Sequence, residues 1–195
     1  PMKSGCERYV LVFNGEIYNY IQLRKELEEV SFQRWKGNSD TEVLIQCISE
    51  WGLKATLKKC RGMFALGLWD HKEKKLCLAR DRFGEKPLYY GNIGKDFVFG
   101  SEFKALQAHP DFNNSLNREA LANFLQFSYV PSPSSIFNGI FKLPPANILS
   151  IDFPSGAKRL SSYWSLEEPS YLANHEDESE VLHELHEKLS KTVSE

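Results

Sequence analysis

Phe13-Asn14-Gly15-Glu16-Ile17-Tyr18-Asn19-Tyr20 joins two apolar patterns of different period. Before it, Arg8 to Phe13 (RYVLVF) is aromatic and β-branched, as a buried strand should be. After it, Tyr20, Leu23 and Leu27 recur at helical spacing with charges between them. Asn14-Gly15 is therefore expected at a strand-to-helix corner. The ordinary reading of an Asn-Gly pair is a hairpin turn, but that needs a second strand and a helix follows instead. Gly15 then lets the backbone approach something closely, with its N–H and the Asn14 amide as donors. Two donors side by side suit an oxyanion hole, although many such corners do no chemistry.

Working outward, Ser31 to Lys36 alternates like a strand, and Asp40 to Trp51 carries Val43, Leu44, Ile48 and Trp51 at helical spacing. Ser39 with Glu42 reads as a capping box, which would make the acidic cluster a helix start. Asp40, in the first turn, has a second reading as a carboxylate facing a ligand ammonium. Short apolar runs follow at Gly62 to Trp69, Lys75 to Ala79, Pro87 to Gly91 and Asp96 to Gly100. Their short connections suit an antiparallel meander, and with the helices they make an α+β layered domain. The charged loop from Arg80 to Lys86 reads as a salt-bridged corner or an anion site, with charge alone favouring the corner.

Helices are expected over 101–108 and 117–127, the second capped by Asn117, and a hairpin over 147–164 closed by Pro154-Ser155-Gly156. A polar, acidic linker follows. From Asp177 to Ser194 an amphipathic helix carries Val181, Leu182, Leu185, Leu189 and Val193 on one face. Its His183-Glu184-Leu185-His186-Glu187 lacks the four-residue histidine spacing of a zinc-protease motif, so it reads as a solvated polar face.

Composition bounds the rest. With 195 residues, 42% hydrophobic, 26% charged and a net charge of −2, the chain is an ordinary globular protein without a dedicated nucleic-acid surface. No apolar run is long enough to span a membrane and no signal peptide opens the chain, so a soluble, cytoplasmic protein is expected. Cys6, Cys47, Cys60 and Cys77 form no C-x-x-C pair, which argues against a zinc site or a disulfide framework. Only Cys6 reads as exposed. Lys3-Ser4-Gly5 reads as a turn, which disfavours Pro1 as a catalytic amine heading a strand.

Taken together, several motifs resemble glutamine-dependent asparagine synthetases. They are Val12-Phe13-Asn14-Gly15-Glu16-Ile17-Tyr18-Asn19, Ser39-Asp40-Thr41-Glu42, Arg61-Gly62-Met63-Phe64-Ala65 and Ala79-Arg80-Asp81-Arg82-Phe83-Gly84. Lys86-Pro87-Leu88-Tyr89-Tyr90-Gly91, Ser101-Glu102-Phe103-Lys104-Ala105-Leu106 and Lys142-Leu143-Pro144-Pro145 continue the series in family order. The resemblance implies a class II glutamine amidotransferase domain, a four-layer αββα N-terminal-nucleophile sandwich over 1–164, incomplete at its N-terminus. It further implies a linker over 165–176 and, over 177–195, the truncated first helix of an ATP-using synthetase domain.

By the same resemblance Asn14 and Gly15 supply the oxyanion hole, Glu16 borders the glutamine site and Asp40 holds the substrate's α-ammonium. The family nucleophile is an N-terminal Cys whose own α-amine acts as base, sensible because that amine titrates at about 7.7–8.0. That Cys, the Arg strand that binds the substrate carboxylate and the pyrophosphate loop are absent from the sequence, which reads as an inactive internal fragment. Glu85 replaces a usual aliphatic residue. The implied parent uses glutamine, aspartate, ATP and Mg²⁺, with no metal or cofactor held by the fragment and a homodimer among the assemblies allowed. The rival readings are an amidotransferase acting on another carboxylate, such as a polysaccharide sugar acid, and a non-catalytic scaffold domain.

Overall fold

The computed structural model describes residues 1–31, 35–166 and 178–194. These divide into two compact units, 1–164 and 165–195. In the first, β1 (Met2–Lys3), β2 (Tyr9–Ile17), β3 (Gly62–Asp70), β4 (Lys75–Arg80), β8 (Asn147–Asp152) and β9 (Lys158–Ser162) form a six-stranded sheet in that order. A three-stranded sheet is ordered β6 (Asp96–Gly100), β5 (Tyr89–Ile93), β7 (Ile140–Lys142). Every pairing is antiparallel.

Side-chain alternation explains why the sheets stack. Leu11 and Ile17 of β2 and Phe64, Leu66 and Leu68 of β3 are buried with Leu23 and Leu27 of α1 (Tyr20–Val30). Val43, Leu44 and Ile48 of α2 (Asp40–Trp51) and Leu57 of α3 (Leu53–Lys59) complete that cluster. The intervening β3 and β4 residues, Ala65, Leu76 and Leu78, turn to the other side and meet Leu88, Leu143, Tyr90 and Phe99 between the sheets. Ile93 and Ile140 on the far side of the second sheet pack with Leu106 and Phe103 of α4 (Phe103–Gln107) and with Phe112 and Phe137. The result is the expected four-layer αββα sandwich. Segment 109–138, which carries α5 (Arg118–Phe127), belongs to the outer layer, and Asn117 Oδ1 caps α5 by accepting Ala120 N–H at 3.0 Å.

Several expectations change. The four central runs are strands but not one meander: β4 pairs on its free side with β8, and β5 leaves for the second sheet. Lys3 is paired with Val10 rather than in a turn, which begins after Ser4. The helix α3 and the strand β7 were not anticipated. Of the run 31–36, residues 32–34 lie outside the described residues, and Trp35 and Lys36 are not in a strand. In the second unit, α6 (Glu178–Ser194) matches the expected amphipathic helix, while Asp177 and most of the expected linker lie outside the described residues.

Candidate active site

Asn14 and Gly15 are inside β2, not at its corner. The strand continues to Ile17, and Tyr18 and Asn19 make the turn into α1. The extra residues are held by pairing with β3, where Asn14 stands opposite Ala65, Gly15 opposite Phe64 and Glu16 opposite Met63. Asn19 locks the turn. Its buried amide donates to Lys59 C=O at 3.1 Å and accepts Arg61 N–H at 2.8 Å, tying the start of α1 to the start of β3.

Gly15 is required by its neighbour strand. A Cβ there would stand 2.2 Å from Met63 O and 2.6 Å from Phe64 Cα, at a φ of +159°. Gly62 makes the reciprocal approach, since its Cβ would stand 2.1 Å from Glu16 O at φ +150°. The two glycines let β2 and β3 close together at the functional stretch.

On β2 the side chains of Val12, Asn14 and Glu16 share the face opposite the buried Leu11 and Ile17. Asn14 Nδ2 donates to Ser101 Oγ, 2.9 Å away and just beyond the end of β6, so this bond joins the two sheets. Val12, Asn14, Gly67, Phe99 and Ser101 line a cleft of about 350 Å³.

The outer edge of β2 is partly open. Its neighbour β1 pairs only with Val10 and Leu11. Alternate N–H groups of a paired strand point to the same side. Phe64 directs its C=O to Asp81 N–H, and its own N–H to the Asp81 carboxylate, both on the β4 side; its partner Gly15 correspondingly faces away from β3. Ile17 N–H points the same way and meets Asp40 Oδ2 at 3.0 Å. Asp40 thus sits along the open edge two residues from Gly15. Its Oδ1 accepts Thr41 N–H and Oγ1 at 2.6 and 3.1 Å.

Half of the capping box forms. Ser39 Oγ accepts Glu42 N–H at 3.1 Å, but the Glu42 carboxylate reaches past Ser39 to Lys36 and Gly37 N–H at 2.7 and 2.9 Å. The helix start is thus shared: Ser39 takes the Glu42 N–H and Asp40 Oδ1 the Thr41 N–H, while Asp40 Oδ2 reaches β2 at Ile17.

The loop after β4 is a corner, held by backbone rather than by ion pairs. Asp81 is fully buried, and its carboxylate accepts the N–H groups of Phe64, Phe83, Glu85 and Lys86 at 2.9–3.2 Å. The Arg80 guanidinium donates to the carbonyls of Lys86, Leu143 and Gly84. Burial lowers the Arg80 pKa from its ordinary value. Tyr18, an exposed residue, lies near this corner; slight desolvation, then the charges of Glu85, Glu16 and Asp81, raise its phenol.

Among the described residues no cluster of three or more His, Cys, Asp or Glu side chains is arranged to hold a metal, and no helix is long and apolar enough to cross a membrane. Cys47 and Cys60 are buried, with burial pushing each thiol up to about 12. Cys77 is half-buried in β4 beside Ser150, and Cys6 is exposed between β1 and β2. Sequence reasoning gave Ser101 no site role, placing it only at a helix start and within a family motif, until the fold brings it to Asn14.

Comparison with known proteins places the chain in a family. The chain is 36% identical over 172 residues to asparagine synthetase [glutamine-hydrolyzing] 3 of Bacillus subtilis, covering 88% of this chain and 27% of that protein. It is 38% identical over 164 residues to asparagine synthetase [glutamine-hydrolyzing] 1 of the same organism, covering 84% and 25%. The chain thus spans about a quarter of the length of these curated relatives. In fold it is similar to glutamine phosphoribosylpyrophosphate amidotransferase of B. subtilis, with a TM-score of 0.56 at 19% identity over 85% of this chain and 31% of that one. The family pattern described as glutamine amidotransferase domain matches residues 1–164, and the chain belongs to that family.

Proposed function

We propose that residues 1–164 are the glutamine-hydrolysing part of an asparagine synthetase, with Asn14 and Gly15 as oxyanion donors. The observation that carries this reading is the placement of the Asn14 amide, the Gly15 N–H and the Asp40 carboxylate around one open stretch of β2. The side-chain amide of a bound glutamine, attacked at its carbonyl carbon, develops negative charge on oxygen. A carboxamide N–H and a backbone N–H fixed before the reaction stabilise that charge without reorganising. The carboxylate of Asp40 is held in place by Ile17 and Thr41 and retains lone pairs for the substrate's α-ammonium. Glu16, on the Asn14 face, borders the same space.

The attacking thiolate is assigned to a Cys outside the 195 residues. Buried Cys47 and Cys60 are protonated at neutral pH, and the other two cysteines have no free α-amine to serve as base. Released ammonia then passes to an aspartate carboxylate activated by ATP, with Mg²⁺, in a part of the protein that this chain does not span.

The test is glutaminase activity of the full-length gene product. Asn14→Ala is expected to lower kcat about 10²–10³-fold, and Asp40→Asn to raise KM for glutamine more than it lowers kcat. A full-length product that releases no ammonia from glutamine rejects the proposal.

A further inference from the structure

We propose that Ser101 is a positioning residue for the Asn14 amide. This inference rests on the oxyanion reading above and assigns a role to a residue in the other sheet. The Asn14 amide nitrogen carries two hydrogens in one plane. One is committed to Ser101 Oγ at 2.9 Å, and that bond fixes the rotation of the amide and hence the direction of the second hydrogen. Without it, the side chain of a strand residue in an exposed position turns between rotamers, and a donor that must be aimed in advance loses its value.

The anchor itself is well supported. Ser101 follows β6 directly, and β6 is paired along its length with β5 from Asp96 to Gly100. Phe99, two residues earlier, packs into the core between the sheets. Behind Ser101 the chain enters α4, whose Leu106 is buried against Ile93 and Ile140. The hydroxyl is therefore placed by the second sheet and its helix, while Asn14 is placed by the first. Correct stacking of the two sheets is thereby converted into correct aim of one hydrogen atom. The contact that Ser101 makes is with the Asn14 amide, so the role assigned to it is exerted through Asn14.

The experiment is a double-mutant cycle in the full-length gene product, measuring ammonia release from glutamine. Ser101→Ala is expected to lower kcat on the order of tenfold with little change in KM, since misplacing a catalytic donor acts on the transition state. Ser101→Thr, which keeps the hydroxyl, should recover most of that loss. In an Asn14→Ala background, Ser101→Ala should cost nothing further, because the group it aims is gone. An Asn14→Ala variant with unchanged kcat would remove the oxyanion reading and this inference with it. If Asn14→Ala is impaired but Ser101→Ala is not, or if the two losses multiply, the positioning role alone is overturned.

Discussion

Asp81 Oδ2 accepts the N–H of Phe64 at 3.2 Å, and Phe64 is the residue opposite Gly15 in the β2–β3 ladder. The buried carboxylate is thus one strand away from the functional stretch, and it also gathers the N–H groups of the 83–86 loop. In Asp81→Asn an NH₂ replaces one acceptor oxygen and faces N–H donors that the carboxylate satisfied. Each donor left buried and unmade costs about 1–3 kcal/mol. The variant should lose about 3 kcal/mol of local stability, read as faster amide hydrogen exchange in β3 and the 83–86 loop. Unchanged exchange there would show that the carboxylate is dispensable.

Gly62 separates packing from chemistry. It touches no proposed substrate group, yet a Cβ would collide with Glu16 O at 2.1 Å. Gly62→Ala should force β2 and β3 apart and cost about 1–3 kcal/mol, as overpacking does. Because Glu16 adjoins Gly15, the displacement should also reduce glutaminase kcat. Native thermal stability together with native kcat in this variant would mean that the strands tolerate the separation.

The layered α+β class was legible because helical and alternating patterns are local: α2, α5 and β3 lie where their apolar periods put them, and the β8–β9 hairpin where its Pro154-Ser155-Gly156 turn does. Sheet membership was not. Short loops favour hairpins between neighbours, and β3–β4 and β5–β6 obey, but nothing local tells β4 that its second neighbour is β8, about 70 residues on. Asn14-Gly15 was misplaced for a related reason. The pair looks like chain reversal by itself, and only the close approach of Met63 and Phe64 on the neighbouring strand makes an extended glycine necessary. Asp81 misled through charge: in a loop of mixed sign it suggests a salt bridge, whereas burial commits it to backbone donors. Asp40 and Asn14 are candidates from the sequence and its resemblance, and the structure adds what those could not, namely Ile17 and Ser101 as their hydrogen-bond partners.

Thiol reactivity should separate Cys6 from Cys47 and Cys60. Around Cys6, slight burial acts to raise the pKa, but hydrogen bonds with Ser4, the Arg8 backbone and Ser49 outweigh it and leave the thiol below its ordinary value. Cys47 and Cys60 are buried and pushed up to about 12. A thiolate is the reactive form, so at pH 8 Cys6 should be alkylated first and Cys47 and Cys60 only on unfolding. Peptide mapping after brief maleimide treatment checks the order. Rapid labelling of Cys60 in the native protein would contradict the buried position between α3 and β3.

Arg8 and Asp70 close the far end of the same β2–β3 pair, and their bond should give local stability a defined pH dependence. Arg8 Nη2 lies 2.6 Å from Asp70 Oδ2, with Nε at 3.0 and 3.1 Å from the two oxygens. Burial alone would raise the Asp70 pKa; Arg8 and the N–H groups of Glu73 and Lys72 outweigh it and hold the carboxyl below its usual value. With the folded value depressed, the unfolded carboxyl takes its proton first as pH falls. The stabilisation is therefore fully present above the unfolded value, about 3.9, and is lost as pH drops through the lower folded value. Asp70→Asn should weaken protection of Tyr9 to Leu11 by about 1–3 kcal/mol at pH 7, and the gap to the unsubstituted protein should shrink below about pH 4. Hydrogen exchange at the two pH values, corrected for intrinsic rates, measures that gap. A difference that stays constant with pH would assign the effect to the neutral turn bonds rather than to the ion pair.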